Sequence, residues 1–301
     1  MSKISFLDNV NNGKNTRGSY ILTILITVIG GTFASILFLV LFMLLYFSSL
    51  RTTGMGAEMN ILNNPFIVLI FVGVSYWVFA LLFYLCIRFI HKKKFIKLIN
   101  TGKNIKWARI LKGAGLWGGI LAVFTLISYI YDNSSLTFNL NLVPFIYLLI
   151  ISLLVFPIQA SFEEIFFRGY LMQGFGLLSK KPIVPLILTT LIFGLIHFYN
   201  GTTIEMSITI VVSALILGLM LGIIVLGENG LETAMGVHIT NNMFIALFLN
   251  SPNSGLGNLP SLFTSPSSNS YSGIPLLIAM AALLIIILFW NKKENIYRIF
   301  K

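Results

Sequence analysis

Residues Leu142–Tyr170 read LVPFIYLLIISLLVFPIQASFEEIFFRGY, and the only charged side chains among them are Glu163, Glu164 and Arg168. A helix needs roughly 20 residues to cross a ~30 Å hydrocarbon core, so this stretch is long enough to span a membrane and carries charge while doing so. Outward from it, further apolar runs stand at Tyr20–Phe47, Phe66–Ile90, Ile110–Tyr131, Ile183–Tyr199, Ser207–Leu226, Leu231–Leu249 and Ile274–Trp290. Of the 301 residues, 57% are hydrophobic and 10% charged, against about a quarter charged in a soluble domain. Too little polar surface remains to coat a globule. Strands of a barrel would show short alternating segments, and the runs do not alternate. The expected fold is all-α: a single integral membrane domain over residues 1–301, a bundle of about eight transmembrane helices.

The net charge of +11 is distributed as membrane orientation requires rather than as a nucleic-acid surface. Lys3, Lys14 and Arg17 precede the first run, a dense group from Arg88 to Lys112 separates the second and third, and Lys180 and Lys181 separate the fourth and fifth. Lys292, Lys293, Arg298 and Lys301 follow the last, while connections of the other parity hold only Arg51. The positive-inside bias then puts both termini in the cytoplasm. Glu228 and Glu232 flank the sixth-to-seventh turn with no evident basic partner. Lys92–Lys112 reads either as an amphipathic helix on anionic headgroups or as a solvated basic loop. The Ser-, Asn-, Gly- and Pro-rich run from Asn250 to Gly273 reads as a flexible external connector. Cys86, the one cysteine, excludes a disulfide framework and reads as a small buried apolar residue.

Ionisable groups in membrane helices are rare, at ~2.5–3.5 kcal/mol each even on the lenient insertion scale. Here they concentrate in three segments: Glu163, Glu164 and Arg168 in the fourth, His197 in the fifth, His238 with Asn241 and Asn242 in the seventh. Glu164 and Arg168 are spaced i,i+4 with the acid first, the favoured order for an ion pair on one face. Glu163 points about 100° away and is expected to stay free of that pair. His238 and Asn242 share a face. Fourth and fifth segments form a hairpin about Ser179–Pro182, and Glu163 and His197 lie equally far from Lys180, at one height. The structural alternative is that Glu164–Arg168 merely neutralises charge and each histidine merely packs. A carboxylate, two imidazoles and an amide on three helices make a better hydrolytic site than a packing solution. HExxH and GxSG motifs are missing, and Tyr131–Asp132 is not followed by GxGD, so zincin, rhomboid and presenilin types are set aside.

Glu163-Glu164-Ile165-Phe166-Phe167-Arg168 matches the EExxxR motif of the CPBP family, the CAAX-processing and bacteriocin-processing intramembrane proteases. Phe193-Gly194-Leu195-Ile196-His197 resembles its FxxxH motif and His238-Ile239-Thr240-Asn241-Asn242 its HxxxN/D motif, in the family's order. The region carrying the likeness is about 157–249, with a protease core expected at about 142–249. The resemblance implies an intramembrane endopeptidase acting on a membrane-associated or lipidated peptide in the cell membrane. Glu163 would be general base on a water assisted by His197, and His238 and Asn242 would stabilise the oxyanion, with Glu164 and Arg168 in support. The family has been read both as metalloprotease and as glutamate protease. Glu163, His197 and His238 are the candidate ligands if zinc is used. Glu164 is taken up by its pairing with Arg168, so the expectation is a metal-free site with a water between Glu163 and His197.

Two other classes compete with a peptidase. A non-catalytic immunity or cell-envelope partner that keeps the fold has no need of an uncompensated glutamate. A coupled transporter should show matched helix breaks in two halves, whereas the ionisable residues in the interiors of the apolar runs fall in the C-terminal half. Gly218-Leu219-Met220-Leu221-Gly222 is a GxxxG, read either as a homodimer contact or as packing within the bundle.

Overall fold

The computed structural model describes residues 5–53, 64–131, 136–179, 181–251, 257–264 and 273–301. Every apolar run is helical: α1 Arg17–Ser48, α2 Pro65–Ile90, α3 Trp107–Tyr131, α4 Leu142–Phe175, α5 Ile183–Leu195, α6 Ile204–Glu228, α7 Glu232–Phe248 and α8 Ile274–Phe289. The first four, α6, and α5 continued to Asn200 are long and apolar enough to cross a membrane; α8 with the following α9 (Lys293–Phe300), bent by 117°, makes a seventh candidate. At 17 residues, α7 is shorter and mostly buried. The protein is an all-α, multi-pass membrane bundle. Large apolar side chains such as Leu45, Leu111 and Ile130 are exposed on its outside, a surface suited to lipid.

Local chemistry sets the helix ends. Thr16 caps α1 by accepting from Ser19 N, and Asn64 caps α2 by accepting from Phe66 N, with Pro65 at the first helical position, where its missing N–H removes nothing. Thr203 caps α6 by accepting from Met206 N. The same helix ends in Asn229 at φ 54°, a left-handed terminator that asparagine tolerates.

Glycines set the closest helix approach. A Cβ on Gly236 of α7 would lie 2.0 Å from Ile110 O, and one on Gly113 of α3 2.2 Å from Thr233 O. These two helices therefore pack backbone to backbone, which brings Trp117 of α3 beside the polar residues of α7. The core around them holds Phe83, Phe166, Tyr170, Phe193, Leu221 and Val237. With 34 residues rising about 1.5 Å each, α4 exceeds the thickness of a hydrocarbon core and projects beyond it. Towards its C-terminal end, Ile165–Leu171 winds with i→i+5 bonds; such stretches often lie at functional sites, and this one begins directly after Glu164.

Several expectations change. Lys92–Lys112 is neither a surface amphipathic helix nor a solvated loop: it forms one helical turn at Ile96–Ile99, buries Leu98, Ile99 and Asn100, and enters α3 at Trp107. Main-chain pairing explains the docking, since Leu231 N donates to Ile99 O at 2.8 Å and Asn9 Nδ2 donates to Asn100 O at 3.1 Å. Glu228 does have a basic partner, Arg109 Nη1 at 3.9 Å, from that same segment. Glu232 accepts from Asn100 Nδ2 and from Lys106 N.

The N-terminal segment, the α2–α3 connection, the α6–α7 turn and α9 thus gather at one end of the bundle, as the charge parity requires. Phe6 N donates to Asn229 Oδ1 at 3.0 Å and Asn295 Nδ2 to Gly227 O at 3.0 Å. At the other end, residues 257–264 are anchored rather than loose. Strand β3 (Phe263–Thr264) pairs antiparallel with β1 (Thr137–Phe138) and parallel with β2 (Leu249–Asn250), and Ser261 Oγ donates to Ala246 O. The GxxxG of α6 faces inward: a Cβ on Gly222 would meet Leu186, and one on Gly218 would meet Arg168 and Phe193. Asp132, Lys180 and the remainder of the Asn250–Gly273 run lie outside the described residues, as do Lys3 and the side chain of Arg51.

Candidate active site

Glu163, Glu164 and Arg168 are buried within α4, and Glu164 and Arg168 are wholly so. Arg168 Nη1 donates to Glu164 Oε1 at 2.8 Å, the i,i+4 pair anticipated from spacing. Its Nη2 donates to Gly218 O at 3.3 Å, and its guanidinium carbon sits 4.1 Å from the centre of the Phe193 ring. A methyl on Gly218 would crowd this guanidinium at 3.2 Å, which is why α6 carries glycine there.

Glu164 does not serve arginine alone. His238 Nδ1 lies 2.8 Å from the same Oε1, and because a carboxylate accepts, Nδ1 carries the proton. The other ring nitrogen, Nε2, faces Glu163 Oε2 at 3.6 Å. One imidazole from α7 thus bridges the two neighbouring carboxylates of α4.

Glu163 is not the free carboxylate expected from sequence. Its Oε1 accepts from Tyr76 Oη of α2 and from Gln159 Nε2, one turn earlier on α4, at 3.2 Å. Its Oε2 is buried and has no hydrogen-bond partner among the described residues. Asn242 Nδ2 donates to Gln159 Oε1 at 3.3 Å, Asn241 Nδ2 to Asn242 Oδ1 at 3.2 Å, and Trp117 Nε1 to Asn241 Oδ1 at 3.2 Å. A train of donors from α3 through α7 therefore ends on one oxygen of Glu163 and leaves the other facing His238.

His197 stands at the margin. It lies just past the end of α5, half-buried, with Nδ1 donating to Phe193 O at 2.6 Å. A neutral ring so tied presents Nε2 as an acceptor. Both histidines pack against the Phe193 ring, 4.6 Å between centres for His197 and 5.9 Å for His238. Glu163, His238 and Asn242 are joined directly or through Gln159; His197 shares with His238 a contact on the Phe193 ring. Among the described residues no three His, Cys, Asp or Glu side chains are grouped to hold a metal ion, and Glu164 is engaged with the Arg168 guanidinium.

Sequence reasoning missed Tyr76, Gln159 and Trp117. Gln159 was within reach, since it precedes Glu163 by four and so shares its face. Tyr76 was not, because nothing distinguishes it from the other tyrosines of apolar runs until α2 packs on α4.

The chain is similar to the uncharacterized protein YyaK of Bacillus subtilis (strain 168), 30% identical over 236 residues that make up 78% of this chain and 79% of that protein. No solved structure matches it. A sequence model described as type II CAAX prenyl endopeptidase Rce1-like matches residues 144–244, the segment from α4 into α7 that carries Glu163, Glu164, Arg168, His197, His238 and Asn242. With those motifs in order on one polar centre inside a membrane bundle, the chain belongs to the Rce1-like branch of the CPBP family of CAAX-type membrane endopeptidases.

Proposed function

We propose that the protein hydrolyses a peptide bond in a membrane-embedded or lipidated peptide, using a water activated by Glu163 rather than by a metal. The observation carrying this reading is the asymmetry of Glu163: Oε1 is held by Tyr76 and Gln159, while buried Oε2 has no donor among the described residues and faces His238 Nε2 at 3.6 Å. A base needs one oriented oxygen within reach of the proton it takes.

In the proposed sequence, a water held against Glu163 Oε2 gives that oxygen a proton as its own oxygen attacks the peptide carbonyl carbon. The carbonyl π electrons move to the oxygen, which becomes an oxyanion. Asn242, whose Nδ2 has a second N–H beyond the one given to Gln159, and His238 donate to it. For His238 to donate from Nε2 it must take up a proton, and Glu163 is the adjacent source. Glu164, already bonded to Nδ1, stabilises the resulting imidazolium. Collapse of the tetrahedral intermediate breaks the C–N bond, and the leaving amine takes a proton from this relay. His197, with Nε2 left as an acceptor at the margin, is placed to exchange protons with the entering water. The end bearing both termini is assigned to the cytoplasm on its basic residues.

Comparison of membrane peptides from cells carrying the wild type and Glu163→Gln tests the proposal. The amide keeps size and the bonds to Tyr76 and Gln159 but cannot take a proton, so cleavage products should vanish while the protein stays inserted and folded. Persistence of the biological effect in both Glu163→Gln and His197→Ala would assign the chain a non-catalytic immunity or envelope role. Stoichiometric zinc in active protein, with loss on chelation and recovery on metal return, would overturn the metal-free mechanism.

A further inference from the structure

A second polar centre lies at the end of α2, outside the catalytic motifs. A cavity of about 300 Å³ is lined by Tyr84, Ile87, Arg88, Lys93, Lys94 and Phe95. Its construction follows from the chain reversal after α2. Lys92 adopts a left-handed φ of 50°, and this turns Lys93 back beneath the helix, where its N–H donates to Ile87 O at 3.1 Å. Lys93 is 6% exposed, although lysine is almost never buried without a charged partner. Among the described residues its ammonium bonds a neutral amide oxygen alone, Gln173 Oε1 of α4, at 2.8 Å. Gln173 Nε2 is in turn fixed by Lys97 O at 3.0 Å, so the ammonium is held in place from behind.

Charge around this cavity is unbalanced. Among the described residues, Arg88, Lys93 and Lys94 form no ion pair. Cations lining a common cavity repel, and Lys93, buried beside the exposed Arg88 and Lys94, has lost the water that would screen its charge. An anion in the cavity offsets both terms. Burial also pulls the Lys93 ammonium down to about 8, the response of a cation lacking a counter-charge.

The position of the cavity selects the kind of anion. Arg88 is on the last turn of a spanning helix that ends at Ile90, and its neighbours Leu85 and Phe89 are exposed apolar residues. The mouth therefore stands where hydrocarbon gives way to headgroups. Arg88 and Lys94 offer donors for phosphate oxygens, while Tyr84, Ile87 and Phe95 offer an apolar wall for the glycerol and first acyl carbons. We propose that this cavity binds the phosphate-bearing headgroup of an anionic lipid.

Purified full-length protein equilibrated with equimolar phosphatidylglycerol and phosphatidylcholine vesicles, then examined by native mass spectrometry, tests the assignment. Wild type should retain phosphatidylglycerol in preference, and Arg88→Gln with Lys94→Gln, both exposed and remote from Glu163, should reduce that retention about tenfold or more. Lys103→Gln with Lys112→Gln removes the same charge nearby and should leave it unchanged. Equal loss in both double variants, or none in the first, would overturn the proposal. So would release of the lipid by millimolar inorganic phosphate, which would reassign the cavity to a free anion. Wild type alone supplies a check that needs no variant: phosphatidylglycerol, and not phosphatidylcholine, should protect the exposed Lys94 from amine acylation, and absence of protection counts against the site.

Discussion

Glu164 holds His238 by its Nδ1 at 2.8 Å, through the same oxygen that receives Arg168 Nη1 at 2.8 Å. The second glutamate of the motif is thus an orienting group for the imidazole as well as a counter-ion for the guanidinium. Its buried position makes both tasks sensitive to charge, since low dielectric strengthens pairs and penalises orphans alike.

Arg168→Ala should leave Glu164 without its cation and lower stability by about 3–5 kcal/mol. Thermal unfolding in detergent, with the amount of inserted protein, measures this. A variant as stable as wild type would show the pair to be dispensable for folding. Glu164→Gln should also weaken the hold on His238, so the small fraction that folds should be impaired in kcat rather than KM.

Tyr76→Phe removes one donor from Glu163 and leaves the ring contact with Phe162, whose centre is 5.8 Å away. A hydrogen bond to a charged group contributes about 1.5–3 kcal/mol, which corresponds to roughly a 10–100-fold loss if it orients the base in the transition state. The decrease should fall on kcat, with the unfolding midpoint little changed. Unaltered kcat would remove Tyr76 from the positioning of Glu163.

Gly236→Ala should disrupt the α3–α7 contact, because the new methyl meets the Ile110 carbonyl rather than a flexible side chain. Overpacking of this kind costs about 1–3 kcal/mol or more. Gly115→Ala and Gly119→Ala on α3 add a methyl to open space and should be tolerated, so the three variants compared by unfolding midpoint separate close approach from helix propensity.

Lys93 gives the fold a pH dependence of defined sign. Its ammonium falls from the usual 10.5 to about 8 on folding, so between those values the unfolded chain binds more protons and stability rises with pH. Below about 8 the full penalty is present; above about 10.5 it is gone. The groups facing it are Arg88 and Lys94 across the cavity, Gln173 from α4 and neighbouring His91, itself lowered by burial and by the charge of Lys93. In delipidated protein, Lys93→Met should abolish this rise relative to wild type; parallel pH profiles for the two would contradict it.

The helices and most of the polar centre were legible in sequence, for different reasons. Hydrophobic runs report solvent, and a membrane leaves long, unambiguous ones. Glu163, Glu164, Arg168 and His238 stood out because charge in such runs is rare, and i,i+4 spacing paired two of them correctly. Contacts between distant helices were not legible. Tyr76 meets Glu163 across 87 positions, and Arg109 meets Glu228 across 119. The reading of Lys92–Lys112 went astray because its lysines suggested a surface, while Leu98, Ile99 and Asn100 supply the buried side and their partners lie in the α6–α7 turn. His197 was placed on a helix by hydropathy, but α5 ends two residues earlier, where the i→i+4 ladder tightens into a turn.

The bond between Phe6 N and Asn229 Oδ1 joins residues 223 positions apart, and this sets a timetable for biogenesis. At about 5–20 residues per second, the ribosome delivers Asn229 some 10–45 s after Phe6. Through that interval the early helices must enter the bilayer with the N-terminal segment and the Ile96–Ile99 turn, though joined to each other through Asn9, lacking their partners in the α6–α7 turn, which has yet to be translated. The late α6–α7 turn therefore acts as the latch of a nascent bundle, and insertion factors that shield the opening helices would be needed longest for this chain until that turn emerges.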